Sequence, residues 1–410
     1  GTRGNNMSLN KTETKATVAI TRCQEYDPKQ VYQAVKTSLE QVDGIHKLLS
    51  NGKKKVLLKP NLLSSSLGPE HAVNTHPVVV RALVDFFQKE CGAEVYIGDS
   101  CGSLRSGSTN KAFKVTKLDE VAQETGARWI NFDQDKHIEI KKPHGATLPT
   151  FKMAGIVKDA DLVVSVPKLK THGLTKYTGA LKNTLGVIPA KGKKDVHVQA
   201  PKPSTFAQAL LDIYEEVKPH LTVMDAIVGM EGNGPNAGDP RKVGLIIAGR
   251  DGVALDVVAS KIIGYEPMSI PTTRYAWERG LGVGELSKIR VLGAEIQEVA
   301  IPDFKRSSSL AKDFALNFLP GAVFAKLFDI STTATSSVCE SNCTRCYACV
   351  KNCPVGAMST VEGRVVVDKE KCIGCYCCDE VCDYKAIEMK RSTMGEVFVG
   401  IAKFLRIEKT

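Results

Sequence analysis

Ten of the chain's thirteen cysteines fall between Cys339 and Cys382, and eight of them repeat one spacing twice. Cys343-x2-Cys346-x2-Cys349-x3-Cys353-Pro354 is followed by Cys372-x2-Cys375-x2-Cys378-x3-Cys382. Three thiolates at i, i+3 and i+6 on a tight loop can grip three irons of one cubane, but the fourth cannot bend back to the same cluster. The spacing therefore predicts two [4Fe–4S] clusters. One is expected on Cys343, Cys346, Cys349 and Cys382, the other on Cys372, Cys375, Cys378 and Cys353. Zinc is disfavoured, because its thiolate sites commonly use paired C-x2-C knuckles rather than triple runs.

This double run is that of bacterial ferredoxins, and it predicts a small α+β domain over residues 338–392. Cysteines so concentrated at one end of a long chain are not a secreted disulfide framework. Residues 1–6, before Met7, read as an expression scar or a disordered leader, with no apolar signal segment after them. The most apolar stretch, 314–330, holds Asn317, Pro320, Lys326 and Asp329 and is too short and polar to span a bilayer. A reducing cytoplasm is the expected compartment. Asp383 stands where Pro354 stands in the first run, and is read as lying near the cluster held largely by the second run. Charge near a cluster tunes its potential, so two different potentials are expected. The spare thiols Cys339 and Cys377 are read as small buried side chains.

With 410 residues, 43% of them hydrophobic, the remainder is long enough for one large domain. From residue 16 to about 300 short β-branched runs alternate with amphipathic stretches. Strands are expected at 16–20, 56–58, 94–97, 128–132, 162–166, 221–228, 243–248 and 289–292. Helices are expected at 28–42, 77–91, 118–125, 206–217 and 254–263. The fold class is α/β with a mostly parallel sheet over residues 7–301, joined to the ferredoxin-like domain. Residues 302–337 read as a linker with an apolar docking helix at 314–328 that packs on the main domain. Residues 393–410 read as an amphipathic tail.

Ligands of open α/β sheets sit beyond the carboxyl ends of strands. Four polar, glycine-rich loops follow strands there: 59–61, 98–102, 167–173 and 229–240. The charge points to the same place. Of a formal net charge of +10, residues 336–410 contribute almost nothing, while residues 152–194 carry nine lysines against Asp159 and Asp161. Nucleic acid is disfavoured, because this stretch lacks arginine and has Tyr177 as its one aromatic. A small anion is the expected ligand, with Lys59, Asn61, Asp99, Lys168, Lys170 and Gly179 as candidate pocket residues. His172, Lys182 and Cys101 are candidates for the chemistry: proton donor, cationic acid or nucleophile, and thiol at the reacting centre. His76 precedes Pro77 and is read as a helix cap. No phosphate loop or H-E-x-x-H is present, and Gly232-x-Gly234-x3-Gly238 misses the dinucleotide spacing.

Segments 56–61, 75–77, 97–100, 165–173, 178–183, 224–226 and 254–256 resemble the domain-of-unknown-function family 362, in its version with a C-terminal ferredoxin module. Where that family has proline after Gly98-Asp99-Ser100, this chain has Cys101. The family supplies fold and site, but no settled reaction. A shorter stretch, from His172 through Gly179 and Lys182 to Pro189 and His197, is similar to the loop region of nickel-pincer lactate racemases, where histidines and a lysine serve a pyridinium-derived cofactor. That analogy implies that Lys182 and His197 share a pocket with His172.

Three functions are compatible with this reading. The leading one is an oxygen-sensitive iron–sulfur oxidoreductase, fed by an upstream electron-donor protein, in which the clusters deliver electrons to a small anion. Fusion gives the donor a high effective concentration at the pocket. The second is an electron-transfer or scaffold subunit that docks a partner protein. The third is a non-redox, racemase-like enzyme with structural or sensory clusters. Many flavin sites carry no sequence signature, so an organic cofactor stays open, as does the oligomeric state.

Overall fold

Each β-branched run expected as a strand between 16 and 292 forms one, and in the central strands Val and Ile fill a pleated surface buried on both faces. The computed structural model describes residues 15–50, 54–102, 107–307 and 320–391, together with 393 and 397. The expected leader at 1–6 and nearly all of the tail at 393–410 lie outside the described residues. The strands are β1 (Ala16–Arg22), β2 (Lys55–Pro60), β3 (Glu94–Asp99), β4 (Arg128–Asn131), β5 (His137–Lys141), β6 (Thr150–Ala154), β7 (Leu162–Val166), β8 (Lys168–His172), β9 (Lys176–Thr178), β10 (Leu221–Glu231), β11 (Asp239–Gly249) and β12 (Ile289–Gly293).

The main sheet runs β12-β1-β11-β10-β7-β2-β3-β4. Its pairs are parallel except for β11, which lies antiparallel between β1 and β10. From β2 the chain winds outward through β3 to β4, then returns to the other side of β2 as β7. The sheet therefore has a switch point between β2 and β7, and the crevice beyond their carboxyl ends is where an open α/β sheet receives a ligand.

Residues 167–173 were expected as a loop, but 168–172 are strand β8, which pairs with β10 and with β9. All five residues of β8 are buried. The alternating-hydrophobic signal is missing because Lys168, Lys170 and His172 point into a polar interior rather than into solvent. The hairpin β5–β6 was also not anticipated; its outward face is polar and exposed.

Helices cover both faces. Pro28–Gln41 starts at Asp27, whose carboxylate accepts from Gln30 N at 2.9 Å. Pro77–Cys91 starts at His76, whose Nδ1 accepts from Val78 N at 3.3 Å, so the histidine is the cap that Pro77 leads one to expect. Its apolar stripe, including Leu83 and Phe87, packs with Leu39, Leu58 and Ile97 in the core on one face of the sheet. Burying Phe87 completely contributes about 2–3 kcal/mol.

Beyond the main sheet, helix Gly321–Thr332 buries Phe324 and Phe328 among Leu181, Leu211, Tyr214 and Tyr275. The apolar face at these positions is thus already covered by the main domain; positions 314–319 of the expected helix lie outside the described residues. The chain then forms β13 (Ala334–Val338), β14 (Met358–Val361), β15 (Arg364–Val367) and β16 (Ile387–Arg391). β13 pairs antiparallel with β16, and β14 with β15. The stretch expected as the end of a linker is therefore partly an edge strand. Its serines and threonines hid the strand from a hydrophobicity pattern, although backbone pairing needs no apolar side chain.

Candidate active site and iron–sulfur module

The repeated cysteine spacing produces repeated local structure. Tyr347 and Tyr376, each two residues before the third thiol of its run, both adopt left-handed backbone and open a short helix, Ala348–Asn352 and Cys377–Glu380. Ala357 N donates to Cys353 Sγ at 3.2 Å, and Ala386 N donates to Cys382 Sγ at 3.3 Å. The thiols fall into two groups. Cys343, Cys346 and Cys382 surround Cys349 closely enough to act on its thiol, which burial, with these neighbours adding to it, pushes up to about 11. Cys353, Cys372, Cys375 and Cys378 line one hollow with Ser336, Met358 and Tyr376. Four soft thiols, a shaped hollow and backbone N–H groups aimed at sulfur are the donor set a [4Fe–4S] group needs.

Because Cys382 gathers with Cys343, Cys346 and Cys349, Asp383 lies beside the group formed mainly by the first run. This corrects the expectation that placed it near the second. Asp383 is moreover turned to the main domain, where Oδ1 accepts from Ser64 Oγ (3.0 Å) and Asn236 Nδ2 (3.1 Å). The acids near the second group are Asp379, which acts on Cys378, and Glu380, which acts on Cys375. Cys377 also reaches this group: its thiol bonds to Cys375 Sγ, which holds Cys375 below the usual thiol range, while Cys377 itself is held well above it.

The module sits on the polar crevice at the switch point. Lys59, Asn61, Asp99, Lys170, Lys182, Asn183, Lys193 and His197 of the main domain line a cavity of about 70 Å³ whose far wall is Asn352, Cys377 and Glu380. Cys377 thus stands between this cavity and the hollow of the second thiol group.

The lysines are not equivalent. Lys59 Nζ bonds to Asp99 Oδ1 (2.9 Å) and to the Pro60 carbonyl (2.8 Å). Asp99 Oδ2 also accepts from Leu62 N at 2.9 Å. Gly186 closes over this pair, since a Cβ there would lie 2.2 Å from Asp99 Oδ1 and 2.3 Å from Lys59 Nζ. Lys168 Nζ bonds to Asp225 Oδ2 (2.9 Å) and Tyr26 Oη (2.8 Å), outside the cavity. Both lysines are neutralised by a buried carboxylate and act as scaffold. Lys168, expected as an anion ligand, is thereby excluded from that role. Lys193 Nζ, by contrast, meets only neutral oxygens, those of Ser100 and the Cys101 carbonyl. Lys170 Nζ donates to the Val73 carbonyl at 2.7 Å and has no carboxylate within 4 Å among the described residues. Burial and the neighbouring Lys182 charge hold it well below the usual lysine range.

His172 is fully buried, and its Nδ1 accepts from Leu174 N (3.0 Å) and Thr175 N (3.4 Å). The ring proton is therefore on Nε2, which stands 2.9 Å from Glu380 Oε1. The contact is close but off-axis, so neither atom has a well-aligned hydrogen-bond partner. Lys182 Nζ lies 3.8 Å from the same oxygen. Burial, then the Lys182 charge, brings the His172 pKa down to about 4, leaving a neutral ring at neutral pH. Burial alone would raise Glu380, yet Lys182, His172 and His197 hold it far below the usual carboxylate range. His197, stacked on Phe206 with ring centroids 4.5 Å apart, is also brought down to about 4 by burial.

His172, Lys182 and His197 are thus brought together around one carboxylate. Lys182 owes its place to Asp256, which accepts from Ala180 N (2.7 Å) and Leu181 N (3.0 Å) at the start of helix Ala180–Asn183. A Cβ on Gly179 would lie 2.2 Å from Asp256 Oδ1. Gly179 therefore admits the carboxylate that sets the helix and does not line the cavity. Cys101 is placed in the core rather than on the cavity wall: its thiol donates to the Leu63 carbonyl at 3.0 Å, and its own carbonyl accepts from Lys193 Nζ at 2.8 Å. Glu380 was missed, whereas Lys193 was counted in the lysine-rich stretch without being singled out. Glu380 lies outside the lysine-rich segment, and only its offset of two from Cys378 hinted at proximity to a cluster.

The fold and site define a two-part protein, an α/β domain whose polar crevice is capped by a 4Fe–4S binding module. A family model described as Domain of unknown function (DUF362) matches residues 56–261, half of the chain, and one described as 4Fe-4S binding domain matches residues 340–359. The chain belongs to the DUF362 family. A thylakoid-associated protein of Synechocystis sp. is 34% identical over 262 residues, covering 62% of this chain and 77% of that protein. The electron transport protein HydN of Escherichia coli is 33% identical over 101 residues, covering 24% of this chain and 55% of HydN. A component of the ion-translocating oxidoreductase complex of Methanosarcina acetivorans is 43% identical over 54 residues, covering 13% of this chain and 20% of that component. Among solved structures, the lactate racemase apoprotein of Thermoanaerobacterium thermosaccharolyticum gives a TM-score of 0.42 at 13% identity, covering 63% of this chain and 59% of that one. No helix among the described residues is long and apolar enough to cross a membrane.

Proposed function

We propose that this protein is an iron–sulfur oxidoreductase that transfers electrons between its C-terminal module and a small anion in the cavity beneath it. The observation that carries this reading is Cys377, which lines both the cavity and the hollow of the second thiol group. A role in electron transfer is supported by the 4Fe–4S match and by the likeness to HydN and to the ion-translocating oxidoreductase component. Cys343, Cys346, Cys349 and Cys382 would hold one [4Fe–4S] group, and Cys353, Cys372, Cys375 and Cys378 a second. When bound, such groups supply single electrons at low potential.

The chain's own residues do the rest. Lys59, Lys170, Lys182, Lys193 and Lys194 line the cavity against Asp99 and Glu380, so its wall favours an anion. His172 presents Nε2–H as a hydrogen-bond donor. Negative charge at the site raises the proton affinity of a neighbouring imidazole, so His172 can take up a proton and pass it on as reduction proceeds. Burial of His172, Lys170 and Glu380 strengthens each of these interactions. An upstream donor protein would reload the module, and the thirteen cysteines, none of them in a disulfide, fit a reducing cytoplasm.

The test is anaerobic. The purified chain should carry about eight irons, and its bleached visible spectrum after dithionite reduction should recover on addition of the accepting anion. Turnover should vanish when Cys343 and Cys372 are replaced with the main domain still folded. Full turnover without iron would refute electron delivery.

A further inference from the structure

Glu380 is an unusual way to hold two domains together. Other contacts already join the module to the main domain with matched, partly exposed partners. Asp383 takes Ser64 and Asn236, Lys385 Nζ meets Asp239 Oδ1 at 3.0 Å, and Lys194 Nζ meets the Lys351 carbonyl at 3.0 Å. Glu380 instead sends a carboxylate into the interior. Its side chain is 11% exposed, yet Oε1 is wholly buried, 2.9 Å from His172 Nε2 and 3.8 Å from Lys182 Nζ, with no aligned donor. The contact to His172 Nε2 is close but out of line, so a carboxylate placed squarely before both donors would be held better than the module's own side chain.

The surroundings describe what would fit better. His172 Nε2–H and the Lys182 ammonium converge on one carboxylate oxygen, and Lys170 lies close enough to act on Glu380. The cavity next to this oxygen is small, about 70 Å³, and its polar wall also includes Lys59, Asn61, Asn183, Lys193 and His197. Asp99, the other acid on the wall, is committed to Lys59 and to backbone N–H groups.

We propose that Glu380 occupies, within the same chain, a recognition subsite for the carboxylate of the substrate, and that a short carboxylic acid anion displaces it on binding. This deepens the oxidoreductase reading only by naming the substrate class of the same cavity; the subsite itself requires no electron transfer. Binding and module position are coupled, because the displaced side chain belongs to the helix that carries Cys377 and Cys378.

Acetate is the probe, titrated calorimetrically into the full iron-loaded chain. Glu380→Ala should bind acetate on the order of tenfold or more tightly than the wild type, the range of a charge-assisted hydrogen bond. Glu380→Gln should show no such gain, because its amide still fills the subsite; a gain equal to that of the alanine variant would mean only a charge had been removed and would overturn the proposal. Adding Lys182→Ala to Glu380→Ala should abolish the gain. Sulfate binding more tightly than acetate to Glu380→Ala would overturn the carboxylate assignment, as would no gain in a variant that keeps its iron. If the alanine variant loses its iron, Glu380→Ser supports the same titration. Because no reductant is present, an acetate-blind variant removes the subsite and leaves electron delivery standing. Conversely, turnover that survives loss of iron removes electron delivery and leaves the subsite standing.

Discussion

In the main domain, Leu39, Phe87 and Ile247 reach zero exposure around a sheet that needs nothing from outside the chain. In the C-terminal module, Cys349, Cys378 and Cys382 are themselves core residues, packed with Met358, Val365 and Ile387. One region is held by hydrocarbon and a few matched ion pairs, the other by the thiols meant for iron. A module this small buries too little apolar surface to stand without its metal. Folding of the C-terminal module is therefore expected to depend on cofactor loading, and folding of the main domain is not.

The largest effect should come from removing iron. Chelation under oxidising conditions should unfold the region from β13 to β16 while the main sheet persists, seen as rapid proteolysis confined to the C-terminal part; a protease-resistant iron-free module would break the comparison. Next, the two kinds of buried lysine should part company. Lys168→Met strands the Asp225 carboxylate and should cost about 3–5 kcal/mol in urea unfolding, whereas Lys170→Met removes a cation without a partner carboxylate and should change stability by less than about 1 kcal/mol. Equal losses would show that pairing does not distinguish them.

A smaller effect concerns pH. Burial brings the His76 pKa down to about 4 from 6.5, so between those values the unfolded chain binds the extra proton. Stability from this group is present above pH 6.5 and falls as pH drops toward 4, by at most about 3 kcal/mol. His76→Gln should flatten that part of the stability–pH curve. The smallest is redox tuning: Cys377→Ala removes a hydrogen bond to Cys375 Sγ and should shift one couple in a potentiometric titration by on the order of tens of millivolts, leaving the other in place. Equal shifts of both couples would contradict the separation of the thiol groups.

The strand runs of the main sheet and the helices at 77–91 and 118–125 were legible because their apolar residues obey one period each. β8 was not, because Lys168, Lys170 and His172 face a polar interior and so imitate a loop. The cysteine runs announced an iron–sulfur module outright. That Lys59 and Lys168 would be tied to Asp99 and Asp225 was hidden, because each ion pair joins strands far apart in sequence. Glu380 was hidden for the same reason more severely, since its partners His172 and Lys182 lie some two hundred residues earlier in the other domain. Net charge located the crevice, but only the tertiary contacts separate lysines that are spent on scaffold from those left for a ligand.

Helix Gly321–Thr332 is locked to the main domain by Phe324 and Phe328, and strand β13 begins at Ala334. Thr333 alone separates the two. A single residue spans at most about 3.6 Å, and Ala334 and Tyr376 of the module are buried together with Leu57, Phe132 and Phe206 of the main domain. The module is thus held over the crevice by a short leash and a shared core, so its place above the site is a property of the fold.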